Sequence, residues 1–182
     1  MTQITVSSRA PRSLAPSSRF FPFFATVVVV QGVHVIEHIV QLLQVTVFDV
    51  PDDKALGLLG FLIQFNGTEE YLHFGFNLLY LTSLYVLAFA LMDYAATGIV
   101  PRWAFKTFVI AGVGLESWHM TEHMVIIWHV IRNHGCPCPG IGDRALNVSD
   151  TVLHFFYNTI AYSATVVPFW FVMKERRRIR LE

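Results

Sequence analysis

Four stretches of this chain are each apolar for about 20 residues or more, the length a helix needs to cross the hydrocarbon core of a bilayer. They run from about Phe20 to Phe48, Tyr71 to Met92, Ala104 to Ile131 and Thr151 to Met173. The spacing predicts an all-α, four-transmembrane-helix bundle. Composition agrees: charged residues are 14% of the chain, against about 25% in an ordinary soluble domain, and the mean hydropathy is +0.50. The 13 basic residues balance 13 acidic ones without a basic stripe, which argues against nucleic acid as a partner. Two cysteines in one Cys-Pro-Cys step exclude a disulfide-stapled scaffold.

Lysine and arginine positions set the expected topology. With both termini cytoplasmic, Arg9, Arg12, Arg19, Arg102, Lys106, Lys174, Arg176, Arg177, Arg178 and Arg180 lie inside, while only Lys54, Arg132 and Arg144 lie outside. Residues 1–19 read as a mobile cytoplasmic tail, since no small-residue cleavage site follows the arginines. Residues 174–182 read as a basic tail. The expected location is an integral membrane protein, in the plasma membrane for a bacterial host. Pro22 suits a helix start, and Pro168 is expected to kink the fourth span. Ala55 to Phe65 is too short to span and is expected as an interfacial or re-entrant helix. Asn66-Gly67-Thr68 and Asn147-Val148-Ser149 match the glycosylation pattern, which short segments also do by chance.

Two segments resemble each other in register. QGVHVIEHIV at residues 31–40 aligns with ESWHMTEHMV at residues 116–125, pairing His34 with His119, Glu37 with Glu122 and His38 with His123. LHFGFN at residues 72–77 aligns with LHFFYN at residues 153–158, pairing His73 with His154 and Asn77 with Asn158. Two matches in the same order suggest that residues 20–92 and 104–173 are tandem copies of one helical hairpin, parallel repeats about an axis along the membrane normal.

Helical positions i, i+3 and i+4 share a face. His34, Glu37 and His38 therefore project together, as do His119, Glu122 and His123. The four faces are expected to converge in the outer half of the bilayer. Ionisable groups at that depth cost several kcal/mol unless paired or ligated, and imidazole with carboxylate is a donor set for transition metals. The expected site is dinuclear, with His34, His38, His73, His119, His123 and His154 as ligands. Glu37 and Glu122 are expected to bridge the ions or shuttle protons. Gln31, Asn77, Glu116 and Asn158 are expected to orient the imidazoles. Iron or copper suits such a site, and zinc also fits. His129, His134, Cys136 and Cys138 follow as a metal hand-off point or as a capping turn.

The ligand inventory resembles, in ligand type rather than in sequence, that of hemerythrin-like di-iron bundles and of histidine-rich membrane di-iron oxygenases. That resemblance implies oxygen chemistry, here on an apolar membrane-soluble substrate held by walls such as Phe74, Phe76, Phe155, Phe156 and Tyr157. Other readings stay open. His-x-x-Glu-His is also an inverted zinc-protease motif. Histidine pairs hold haem in membrane cytochromes, which fits less well with glutamates among the ligands. A metal-free polar network, a metal or proton transporter, and a non-catalytic subunit of a larger complex are further alternatives. The lipid bilayer is the expected surrounding, with other membrane subunits or an electron donor as partners.

Overall fold

The computed structural model describes residues 19–63, 69–132 and 140–182. Every regular element among them is helical. Helix α1 is Phe20–Thr46, followed by a 3-10 turn at Asp52–Lys54 and the short α2 at Gly57–Ile63. Helix α3 is Glu69–Ala96. Helix α4, Arg102–Thr107, runs through a π-helical stretch at Phe108–Gly114 into α5, Leu115–Arg132. The short α6, Ile141–Leu146, precedes α7, Asp150–Leu181.

The helix ends follow local chemistry. Pro22 sits in the first turn of α1, where its missing N–H would have no intrahelical partner. Pro101 precedes the first residue of α4 in extended backbone. Ser149 caps α7, its hydroxyl accepting from Val152 N at 3.4 Å. Asn147 ends α6 in the left-handed conformation, so the residues of that glycosylation-like triplet serve as helix stops and starts. Pro168 is buried inside the continuous α7. The segment read as a basic tail continues the same helix to Leu181, braced by Glu175 to Arg178 at 2.7 Å and Arg178 to Glu182 at 3.3 Å.

Two helices, Phe20–Thr46 and Glu70–Ala96, are long and apolar enough to cross a membrane. The third and fourth expected spans are helical but less apolar along their length. Helix α5 carries Glu116, His119, Glu122, His123 and His129, and α7 ends in a basic run.

The bundle interior divides into two halves. One is an apolar core in which Phe24, Leu84, Leu87, Leu91, Phe108 and Val172 are sealed from solvent. The other is polar: Gln31, His34, Glu37, His38, Asn77, Glu116, His119, Glu122, His123, His154 and Asn158 are all buried. The outward faces are the reverse. Val29 and Ile36 on α1, Phe89 on α3, Met124 and Trp128 on α5, and Phe156 and Trp170 on α7 are exposed. The halves have a simple origin. The first half of α1 and the second half of α3 are nearly free of polar residues, and antiparallel neighbours bring those halves to one end.

Candidate metal centre

The residues of the polar half come from four helices. His34 and His38 stand one turn apart on α1, and their Nε2 atoms face each other at 3.2 Å. His119 and His123 repeat the arrangement on α5 at 3.1 Å. Helix α3 adds His73, whose ring centroid lies 5.6 Å from His34 and 5.2 Å from His38. Helix α7 adds His154, 4.9 Å from His119 and 4.7 Å from His123. Two triplets result. They touch through His38 with His154 and through His73 with His123, both at 6.3 Å.

His119, His123 and His154 form a group that could hold a metal ion, each offering a nitrogen within 4.8 Å of the others. The spacing suits the chemistry. Two nitrogens bound at 2.0–2.1 Å in a tetrahedral shell are about 3.3 Å apart, close to the separation within each histidine pair. A buried nitrogen without a protein partner points the same way: His154 Nε2. Such an orphan costs about 1–3 kcal/mol if nothing satisfies it.

The groups behind the imidazoles select their tautomers. Nδ1 of His154 donates to the main-chain oxygen of Asp150 at 2.9 Å and lies 3.0 Å from its carboxylate. Its Nε2 lone pair is thereby aimed into the triplet. Nδ1 of His119 lies 3.3 Å from Glu116 Oε2. A carboxylate or carbonyl behind a ligating imidazole is the usual support of a metal site. Asn77 and Asn158 turn their amides back onto the carbonyls of His73 and His154, at 2.9 and 3.0 Å. Gln31 spans the bundle, donating to Asn158 Oδ1 at 2.8 Å. Gln31, Asn77, Glu116 and Asn158 thus all sit against the histidine cluster.

Glu37 and Glu122 find other partners. Glu37 accepts the backbone N–H groups of Leu58 and Leu59, both at 2.8 Å, and of Gly60 at 3.2 Å. Glu122 accepts those of Ile141 at 2.6 Å and Gly142 at 2.7 Å. Both oxygens of each carboxylate are therefore occupied at the start of the short helices α2 and α6, where free N–H groups and the helix dipole favour an anion. The partners the structure gives these glutamates, which were expected to bridge metals or shuttle protons, are main-chain amides. The glutamates tie down the loop helices. The approach is so close that a side chain on the other side would displace the carboxylate. A Cβ at Gly57, whose φ is +66°, would collide with Glu37 Oε1, and a Cβ at Gly140 would collide with Glu122 Oε2.

His129 is half-buried on α5 and, among the described residues, has no ring contact with the six clustered histidines. His134, Cys136 and Cys138 lie outside the described residues, as does Asn66-Gly67-Thr68. Of the aromatic residues expected as walls, Phe76 stacks flat on His34 at 5.0 Å and Tyr157 lies 5.2 Å from His119. Phe156 faces outward. Asp150 went unrecognised in the sequence, although its spacing of four residues before His154 is the signal that finds it. Asp143, on α6, accepts the Gly140 N–H at 2.8 Å. Burial, with the Asp150 carboxylate nearby, pushes its carboxyl up to about 6.

Compared with known protein families, with curated proteins and with solved structures, the chain matches none.

Proposed function

We propose that this protein is an integral membrane metalloprotein with two transition-metal ions, one on His119, His123 and His154 and one on His34, His38 and His73. We further propose that it oxidises an apolar, membrane-soluble substrate with oxygen, using electrons from a partner. The observation that carries the metal reading is the convergence of three buried imidazoles, two of which have their far nitrogens held, His119 by Glu116 and His154 by Asp150.

The membrane reading is a four-span bundle of two tandem hairpins. Its support is the inversion of polarity: imidazoles and carboxylates are buried, while all four long helices expose Val, Ile, Phe, Met or Trp. In water such outward apolar faces would drive association. The tandem reading is supported by paired relations. His34–His38 matches His119–His123, and Glu37 grips α2 as Glu122 grips α6.

Iron or copper would supply oxygen activation when bound. The protein's part is to present imidazole lone pairs, which His154 does by donating its Nδ1–H to the main-chain oxygen of Asp150, and to exclude water. The glutamates hold α2 and α6 in place beside the centre. The apolar core fills the other half of the bundle, which favours a dead-end site over a path through the membrane.

The test is metal analysis of protein purified in detergent without chelators. About two iron or copper ions per chain, with oxygen uptake on addition of an apolar substrate and reductant, is the expected result. Protein that takes up no metal on reconstitution would leave a hydrogen-bonded polar core and overturn the reading. A strong violet absorption band would point to haem instead.

A further inference from the structure

A cleft opens on the side of the bundle between α1 and α3. Phe23, Val27 and Val30 form one wall and Leu79 and Ser83 the other. Gln31 and Phe76 stand at one end. Two hydroxyls at its walls are already used: Ser83 donates to the Leu79 carbonyl at 2.8 Å, and Tyr80 pairs with Thr165 at 2.7 Å. The walls therefore act as an apolar surface.

The shape is that of a slot. Phe23 and Gln31 are eight residues apart on one helix, so the cleft runs about 12 Å along the α1 axis. Its volume is about 140 Å³, well below the roughly 300–1,000 Å³ of pockets that enclose a whole drug-sized ligand. With the elongated outline, that volume suits a slender chain. One end lies a single turn from the start of α1. The other reaches buried Gln31, one turn from His34, and Phe76, which is stacked on the His34 ring. Phe23, Val30 and Leu79 are exposed, so the slot is open along its side.

We propose that this cleft binds one unbranched alkyl chain, entering sideways from the lipid, with its methyl end at Gln31 and Phe76 beside His34. The polar end of the molecule then lies near the start of α1, where a helix end meets the membrane interface. That this chain is the substrate rests on the metal-centre reading; that it binds does not.

Photoaffinity labelling of the full chain in detergent tests this, with two decanoic acids, about as long as the slot, that carry a diazirine at the methyl end or beside the carboxylate. The methyl-end probe should label the peptides holding Gln31 and Phe76. The carboxylate-end probe should label the peptide around Phe23. Val27→Trp, which fills the slot from a buried wall, and Leu79→Trp, which fills it from the exposed one, should each abolish both signals. Circular dichroism identifies a variant that has not folded, and excess unlabelled decanoic acid should compete in the wild type. Identical labelling of outward residues such as Val29 and Phe89 by both probes, unaffected by Leu79→Trp, would overturn the proposal. So would the reversed pattern, with the carboxylate end at Gln31. Labelling is repeated on chelator-treated protein. Site-specific labelling in a chain that binds no metal would keep the cleft and sink the metal centre. Metal without site-specific labelling would do the opposite.

Discussion

The Nε2 atoms of His119 and His123 face each other at 3.1 Å, one helical turn apart and buried. Two neutral imidazoles can place one hydrogen between such atoms, and a bound cation uses both lone pairs. His154 directs a third nitrogen to the same place. Replacing His119, His123 or His154 by alanine should each remove about one metal ion per chain. Replacing His34, His38 or His73 should remove the other. Metal content per chain, measured on variants with unchanged helicity, checks this. Unchanged metal in any one of the first three would place the ion elsewhere.

The two triplets are not equivalent. Behind His119 stands Glu116, whereas the matching position before His34 is Gln31. Glu116→Gln should weaken metal binding at His119, His123 and His154 by about 10–100-fold and leave the other ion in place. Asp150→Asn should act in the same direction but less, because the main-chain oxygen of residue 150 still accepts the His154 Nδ1–H hydrogen bond. Gln31→Glu should tighten the weaker site. Titration against a competing chelator resolves the two affinities, and equal loss of both ions in Glu116→Gln would contradict the assignment.

Gly140→Ala should push the Glu122 carboxylate off the start of α6, leaving the Ile141 and Gly142 N–H groups unpaired. A loss of about 1–3 kcal/mol is expected, read by thermal unfolding in detergent. Gly57→Ala should cost at least as much, because its backbone is also left-handed. Both variants should retain metal when folded. Glu122→Gln separates the two roles. Lowered stability with metal retained supports a helix tie, and prompt metal loss at unchanged stability would make Glu122 a ligand.

Asp143 adds a pH dependence. Its carboxyl is pushed up to about 6 from an ordinary 3.8 by burial and the nearby Asp150. The folded chain therefore binds this proton more tightly than the unfolded chain, and stability falls as pH rises through that window. The cost is complete above pH of about 6 and absent below about 4. Asp143→Asn keeps an acceptor for Gly140 N–H and removes the charge. Its unfolding temperature should exceed the wild type at neutral pH and converge with it in acid. A constant offset at every pH would assign the difference to packing.

Much of the centre was legible before any coordinates. The i, i+3, i+4 spacing of His34, Glu37 and His38 settles that they share a helix face, because 3.6 residues make a turn. The matching runs around His73 and His154 mark the helices that answer them. All six histidines do meet. The sequence alone also set the four long helices, since long apolar runs and their Pro, Ser and Asn stops are local properties. Tertiary structure decided the partners. Glu37 could have turned to a metal or to a main-chain amide, and which of these it meets depends on where a loop 21 residues away returns. The same holds for Gly57 and Gly140, where the room for a side chain is taken by a carboxylate that arrives from another helix. Spacing along one helix is fixed by backbone geometry; a contact between helices is fixed only when the whole bundle packs.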